Sequence, residues 1–342
     1  MSTSSLKLNL RDKIDSISFK VLDDSNPDAL FKGIDKMLYI DGRFYILDCM
    51  GTSSVLVFDD NGNFLFKVGD FGQGPGEYNS ITDFDVNNGY IYILDSKKRM
   101  IFSYDLDGKL VKYYSYLNKI MGVNDLIVTD DGNFLLGMDV ELNSNDQVLL
   151  TDTNFIIKEK ILSFEKNVTR NHLNIGNFRR CGKDIVYYFP VSETFYIFDL
   201  YGEVKRHYKV LLDDELPINL KKDYVKLSDK REELKLSYFY KTPFIWNDFL
   251  VSEVFYKSKH AIVCADLSGR CMFMEEYSLD SPISLSEIKY PIYMDENKVV
   301  CLYNSVLNEC LDETSQLMLN KIDKGALGEE DFILIIYHLS NE

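Results

Sequence analysis

Residues 90–111 read YIYILDSKKRMIFSYDLDGKLV, and residues 43–68 read RFYILDCMGTSSVLVFDDNGNFLFKV. RFYILD and YIYILD begin 47 residues apart. Each leads through a polar turn into a second apolar run that closes on Asp-x-x-Gly. The aspartate bonds the turn backbone, and the glycine takes the left-handed conformation that closes a bulged hairpin. The turn position recurs at Gly62, Gly108, Asn154, Gly202 and Gly269, at intervals of 46, 46, 48 and 67 residues. Asparagine is read at 154 as a residue that also visits the left-handed region.

Four strands every 40–50 residues is the signature of a propeller blade. The predicted fold is therefore all-β, a six-bladed β-propeller of four-stranded antiparallel blades. The blades are placed at about 31–70, 80–117, 121–164, 174–212, 240–279 and 288–340. The last supplies three strands, and a fourth, SISFKVLDD (16–24), is carried round from the amino-terminal side to close the ring and remove an exposed edge. Residues 1–342 are read as one domain with an insertion at 213–236, where Leu216, Leu220, Tyr224 and Leu227 have helical spacing. A second helix is predicted at 312–323. A pair of β-sandwiches would also show many short strands, but would not repeat one strand-and-turn order at a fixed period.

Between the first two blades lies GDFGQGPGEYNS (69–80). Its glycines fit neither G-x-G-x-x-G nor a P-loop, and the alternating run that follows is a strand, so no helix N-terminus is present to hold phosphate. The segment reads as a connector from an outer strand to the next inner strand. Glu77 and Tyr78 are left to pin it or to line a channel mouth.

With its GxGPGE(Y/F) loop, an aromatic-x-x-L-D strand and a D-x-x-G turn, the stretch 43–112 resembles the NHL-type repeat of six-bladed propeller proteins abundant in Bacteroidetes. Blades 3–6 match in outline. The resemblance implies export, often as lipoproteins facing the periplasm or cell surface. MSTSSLKLNLRDKIDSISF itself has no apolar signal core and reads as a mature or trimmed start.

The net charge of −16 disfavours nucleic acid and anionic membranes as partners. No run of about 18 apolar residues is present, so no transmembrane helix is expected. The six cysteines lack zinc-site spacing. Cys264 and Cys271 flank a turn, and a bulge at Gly269 leaves them as free thiols on opposite faces. The four histidines, His172, His207, His260 and His338, are scattered and read as ordinary strand or loop residues. DDNG (59–62) and TDDG (129–132) read as turns, without the further oxygen ligands that calcium loops require.

Propeller ligands sit where the inner strands begin, at the mouth of the central channel. Aligning the blades places Lys36, Asp83, Asp125 and Asn177 there, with Arg179 and Arg180 just beyond, and Trp246 and Tyr290 near the corresponding places in blades 5 and 6. The expected function is a non-catalytic binding propeller, without cofactor, recognising a glycan, peptide or protein. The alternative is a metal-dependent hydrolase or lactonase with calcium or zinc held by Asp83, Asp125 and Asn177. A scaffold that engages partners through the 213–236 insertion is a third reading. The bland reading is a water-filled channel whose charges pair with one another.

Overall fold

The computed structural model describes residues 10–74, 76–139, 145–164, 176–212, 216–221, 223–269, 272–277, 288, 291–304 and 332–340. Pro75, His172, Cys271, Tyr290, Cys310 and the helix expected at 312–323 lie outside them.

Blade 1 comprises Lys36–Ile40, Arg43–Asp48, Ser54–Asp59 and Phe64–Lys67, and blade 2 Ile81–Asn87, Tyr90–Asp95, Met100–Asp105 and Leu110–Ser115. Blade 3 comprises Val123–Val128, Phe134–Met138, Asp146–Thr151 and Ile157–Ser163, and blade 4 Phe178–Cys181, Asp184–Tyr188, Thr194–Phe198 and Val204–Lys209. In blade 5 the inner strand is broken into Tyr238–Phe239 and Phe244–Trp246, both paired with Phe249–Tyr256, before Lys259–Asp266 and Met272–Tyr277. Blade 6 orders Pro291–Met294, Lys298–Asn304 and Phe332–Leu339, and its outermost strand is Ile14–Val21. Ile17 pairs with Tyr337 and Phe19 with Ile335. The six inner strands touch one another in sequence, and the last touches the first.

Each blade packs face to face with two others, so its middle strands are apolar on both sides rather than alternating. Phe44, Tyr45, Ile46 and Leu47 are all buried, as are Ile91 to Leu94. The outer strand Leu110–Ser115 is largely exposed. The repeated ILD has a mechanical meaning. Asp48, at the end of its strand, accepts from the backbone N–H of Lys32, Gly51 and Thr52. Asp95 likewise accepts from Asn79, Ser80 and Lys98. In each of blades 1 and 2 one buried carboxylate thus gathers the loops at the end of the ring where the inner strands begin.

The turn register needs one correction. Gly62, Gly108, Gly202 and Gly269 all have positive φ. In blade 3 the equivalent residue is Phe155 (φ 61), not Asn154, because the turn aspartate is Asp152. Its carbonyl accepts the Phe155 N–H, and its carboxylate accepts that of Asn154. A left-handed phenylalanine is strained. It is held by burial of its ring against Tyr116 and Phe134 at centroid distances of 5.3 and 5.5 Å.

The connector 69–80 ties to itself. Glu77 accepts from the Gly74 N–H at 2.6 Å, Lys98 donates to the carbonyls of Gly72 and Glu77, and the Tyr78 hydroxyl donates to the Val68 carbonyl. A Cβ at Gly72 would lie 2.0 Å from the Glu77 carboxylate, so a larger residue there would shift that side chain. Glu77 and Tyr78 pin the loop. The insertion forms two short helices, Ile218–Lys221 and Tyr224–Lys230, and buries Leu216, Leu220 and Leu227 against Val191, Leu236, Tyr238 and Phe255. Gly269 closes its turn on Asp266, and Cys264 pairs across the ladder with Phe273.

Candidate functional site

Alternate residues of a strand share a face. Asp83 and Asp85 therefore point together from the inner strand of blade 2 toward blade 3, where the N–H groups of Leu126 and Val128 have the same spacing. Asp83 accepts from Leu126 and Asp85 from Val128, each at 2.8 Å. Asp83 also takes the Lys36 ammonium at 2.7 Å, and Lys36 donates a second bond to the Phe84 carbonyl. One step further round, Asp125 accepts both the backbone and side-chain N–H of Asn177, at 2.9 and 2.7 Å. Gly137 makes room for it, since a Cβ there would lie 2.8 Å from the Asp125 carboxylate. Four of the sequence-predicted site residues thus come together, as ties between blades.

Burial sets the titration of this belt. It pushes Asp83 upward despite the Lys36 charge, and it pushes Asp125 up to about 6, with the negative charge of Asp83 adding to the effect. The lone pairs that the metal alternative would need are occupied by N–H groups and an ammonium. Among the described residues no three His, Cys, Asp or Glu side chains converge as metal ligands. His338 bonds Ser18, and His260 lies beside Tyr240 and Glu253; neither is in the cavity lining.

Above the belt a cavity of about 280 Å³ opens at the starts of the inner strands, with Lys36, Arg179, Arg180, Lys241, Phe244 and Tyr293 among its lining residues. The pleat sends Arg179 and Arg180 to opposite sides. Arg180 reaches back across blade 3 to Asp85 and the Val128 carbonyl, at 2.9 and 2.8 Å. Arg179 turns toward blade 5 and lies over the Phe244 ring, 3.6 Å from its centroid. Desolvation lowers Arg179 to about 10, so it remains charged at neutral pH. Lys36 and Arg180 pair with buried carboxylates, and Lys241 pairs with Glu253. Among the described residues Arg179 has no carboxylate within ion-pair distance.

Trp246 does not reach this cavity. It is buried in the seam between blades 5 and 6, where its indole donates to the Glu296 carbonyl. The aromatic groups at the mouth are Phe178, Phe244 and Tyr293. Lys241 was missed because it lies in the break of the blade 5 inner strand, where alignment on a continuous strand has no position for it. The signal for Phe244 was present: in FIW, residues 244 and 246 share a face, but only the first lies at the strand's start.

Fold and site together define a six-bladed β-propeller with a cation-lined channel mouth. The chain belongs to the DUF4934 family, described as a domain of unknown function, which it matches over residues 1–338. It is similar in structure to a Bacteroides fragilis protein named as exported, with a TM-score of 0.75 at 17% identity and 96% of each chain covered. A Bacteroides vulgatus member of the DUF4221 family aligns with a TM-score of 0.58 at 10% identity, covering 96% of this chain and 98% of that one. No curated protein matches the chain.

Proposed function

We propose that this chain is a non-catalytic binding module that takes an anionic group of a glycan, peptide or protein at the channel mouth. The observation that carries this reading is Arg179, a cation stacked on Phe244 without a counter-charge among the described residues, in a chain of net charge −16. The neighbouring cations are already matched by Asp83, Asp85 and Glu253. A guanidinium braced on an aromatic ring presents its remaining donors in a fixed fork suited to carboxylate, sulfate or phosphate. The cavity is small, so it suits a terminal group better than a whole chain. Occupation of the aspartates by blade ties supports a metal-free site. The name of the Bacteroides fragilis relative supports placing this activity outside the cytoplasm.

The test is calorimetric titration with oligogalacturonate, an acidic peptide and inorganic phosphate, for the native chain and Arg179→Gln. At least one anion is expected to bind the native chain, more weakly as salt rises, and at least tenfold more weakly to the variant. Equal affinities would overturn the reading. Elemental analysis of the purified protein gives a separate check, since stoichiometric calcium or zinc would contradict a metal-free site.

A further inference from the structure

A second cavity, of about 430 Å³, lies on blade 4 at the same end of the ring. The strand ladder relates it to the channel. Phe178, at the channel mouth, pairs with Tyr187, and their rings lie 4.7 Å apart; Tyr187 in turn lines the second cavity. Tyr187 is 1% exposed, and its hydroxyl has no well-aligned hydrogen-bond partner, the Gln147 side chain lying beside it. A buried hydroxyl without a partner is costly, and phenylalanine would fill the same volume without that cost. The oxygen is therefore better explained by a guest than by the core.

The surroundings define the guest. Phe189 and Tyr196 contribute aromatic rings, and Gln147 and Thr194 contribute neutral donors and acceptors. The acid in the lining, Glu193, is matched by Lys221 at 2.6 Å and also accepts from the Leu216 N–H. The same contacts fasten the insertion to the loop of blade 4, which makes the insertion a wall of the cavity. Apart from Lys209, the lining presents aromatic faces, neutral polar groups and an internally matched carboxylate, which suits a ligand that is uncharged, rich in hydroxyls and apolar on one face. The volume falls in the range of about 300–1,000 Å³ usual for small-molecule sites. We propose that this cavity is a binding site for a neutral sugar unit, with the Tyr187 hydroxyl hydrogen-bonded to one of its hydroxyl groups. The channel mouth is the more cationic of the two, with Lys36, Arg179, Arg180 and Lys241 in its lining.

Saturation-transfer NMR and calorimetry with glucose, galactose, mannose, N-acetylglucosamine and maltose test this on the native chain, Tyr187→Phe and Arg179→Gln. At least one sugar is expected to bind the native chain and Arg179→Gln equally, and to bind Tyr187→Phe at least tenfold more weakly. Unliganded Tyr187→Phe is expected to melt at or above the native temperature. The proposal is overturned if none of these sugars binds the native chain, if Tyr187→Phe binds as the native chain does, or if Tyr187→Phe melts lower, which would give the hydroxyl a structural partner. Loss of sugar binding in Arg179→Gln would also overturn it, by moving the sugar to the channel.

Discussion

The two halves of the ring are joined by different chemistry. From blade 2 to blade 4 the inner strands are stitched by carboxylates, with Asp83 and Asp85 on the backbone of blade 3 and Asp125 on Asn177. From blade 4 to blade 6 a single apolar cluster runs through Tyr188, Phe195, Phe239, Val254, Val263 and Tyr337. Its hydrogen bonds between blades include neutral ones, from Thr242 to the Gly176 carbonyl and from Tyr188 to that of Phe239, and its cation, Arg179, lies over the Phe244 ring rather than on a carboxylate. The stitched half depends on groups whose charge changes with pH. The apolar half depends on shape.

The largest expected effect separates these two kinds of joint. Asp83→Ala would leave the Lys36 ammonium buried without its partner and the Leu126 N–H unpaired, at a cost of roughly 3–5 kcal/mol. In urea unfolding, the double variant Lys36→Met, Asp83→Leu is expected to recover part of that loss, because the stranded charge leaves while the Leu126 N–H stays unpaired. Phe195→Ala in the apolar half is expected to cost a similar ~3–5 kcal/mol through the cavity it opens, with no polar substitution able to rescue it.

A smaller effect sharpens the contrast through pH. Asp125 titrates at about 6 in the folded chain, against an ordinary value of 3.8. In that window the folded state holds the proton more tightly than the unfolded state. The contribution of Asp125 is therefore fully present below about pH 4 and is lost as pH rises through 6. Asp125→Asn is expected to remove this slope, so the stability difference from the native chain changes between pH 4 and 6 by an amount on the order of 3 kcal/mol. Chemical denaturation at stepped pH reads it. Among the apolar joints, Tyr188→Phe is expected to cost only about 1 kcal/mol, by leaving the Phe239 carbonyl without its donor, and to do so equally at every pH in that range.

The architecture was legible because its repeating parts are local. Aspartate followed by a left-handed fourth residue closes a hairpin wherever it occurs, and the ILD aspartates recur because each must gather a loop. Blade 3 broke the pattern where Phe155 holds a conformation that its own side chain disfavours. Only the packing of Tyr116 and Phe134 around it explains this, and those contacts lie across the chain. The site was legible by the same measure. Lys36, Asp83, Asp125 and Asn177 occupy repeat positions, and the alignment brought them together. It could not tell ties from ligands, because that depends on which neighbouring N–H groups face them. Trp246 and Phe244 differ by a single turn of the pleat, and Lys241 lies in an irregularity that periodicity cannot place.

The seam at blade 6 also governs the order of assembly. Ser18 and His338, bonded to each other, are separated by 320 positions in the chain. During synthesis the strand Ile14–Val21 emerges before the strands of the other blades and has no ladder partner until Phe332–Leu339 has left the ribosome. The ring therefore cannot close before Phe332–Leu339 exists. Contacts of such long range are slow to form. An early strand left unpaired is open to wrong partners in the interval.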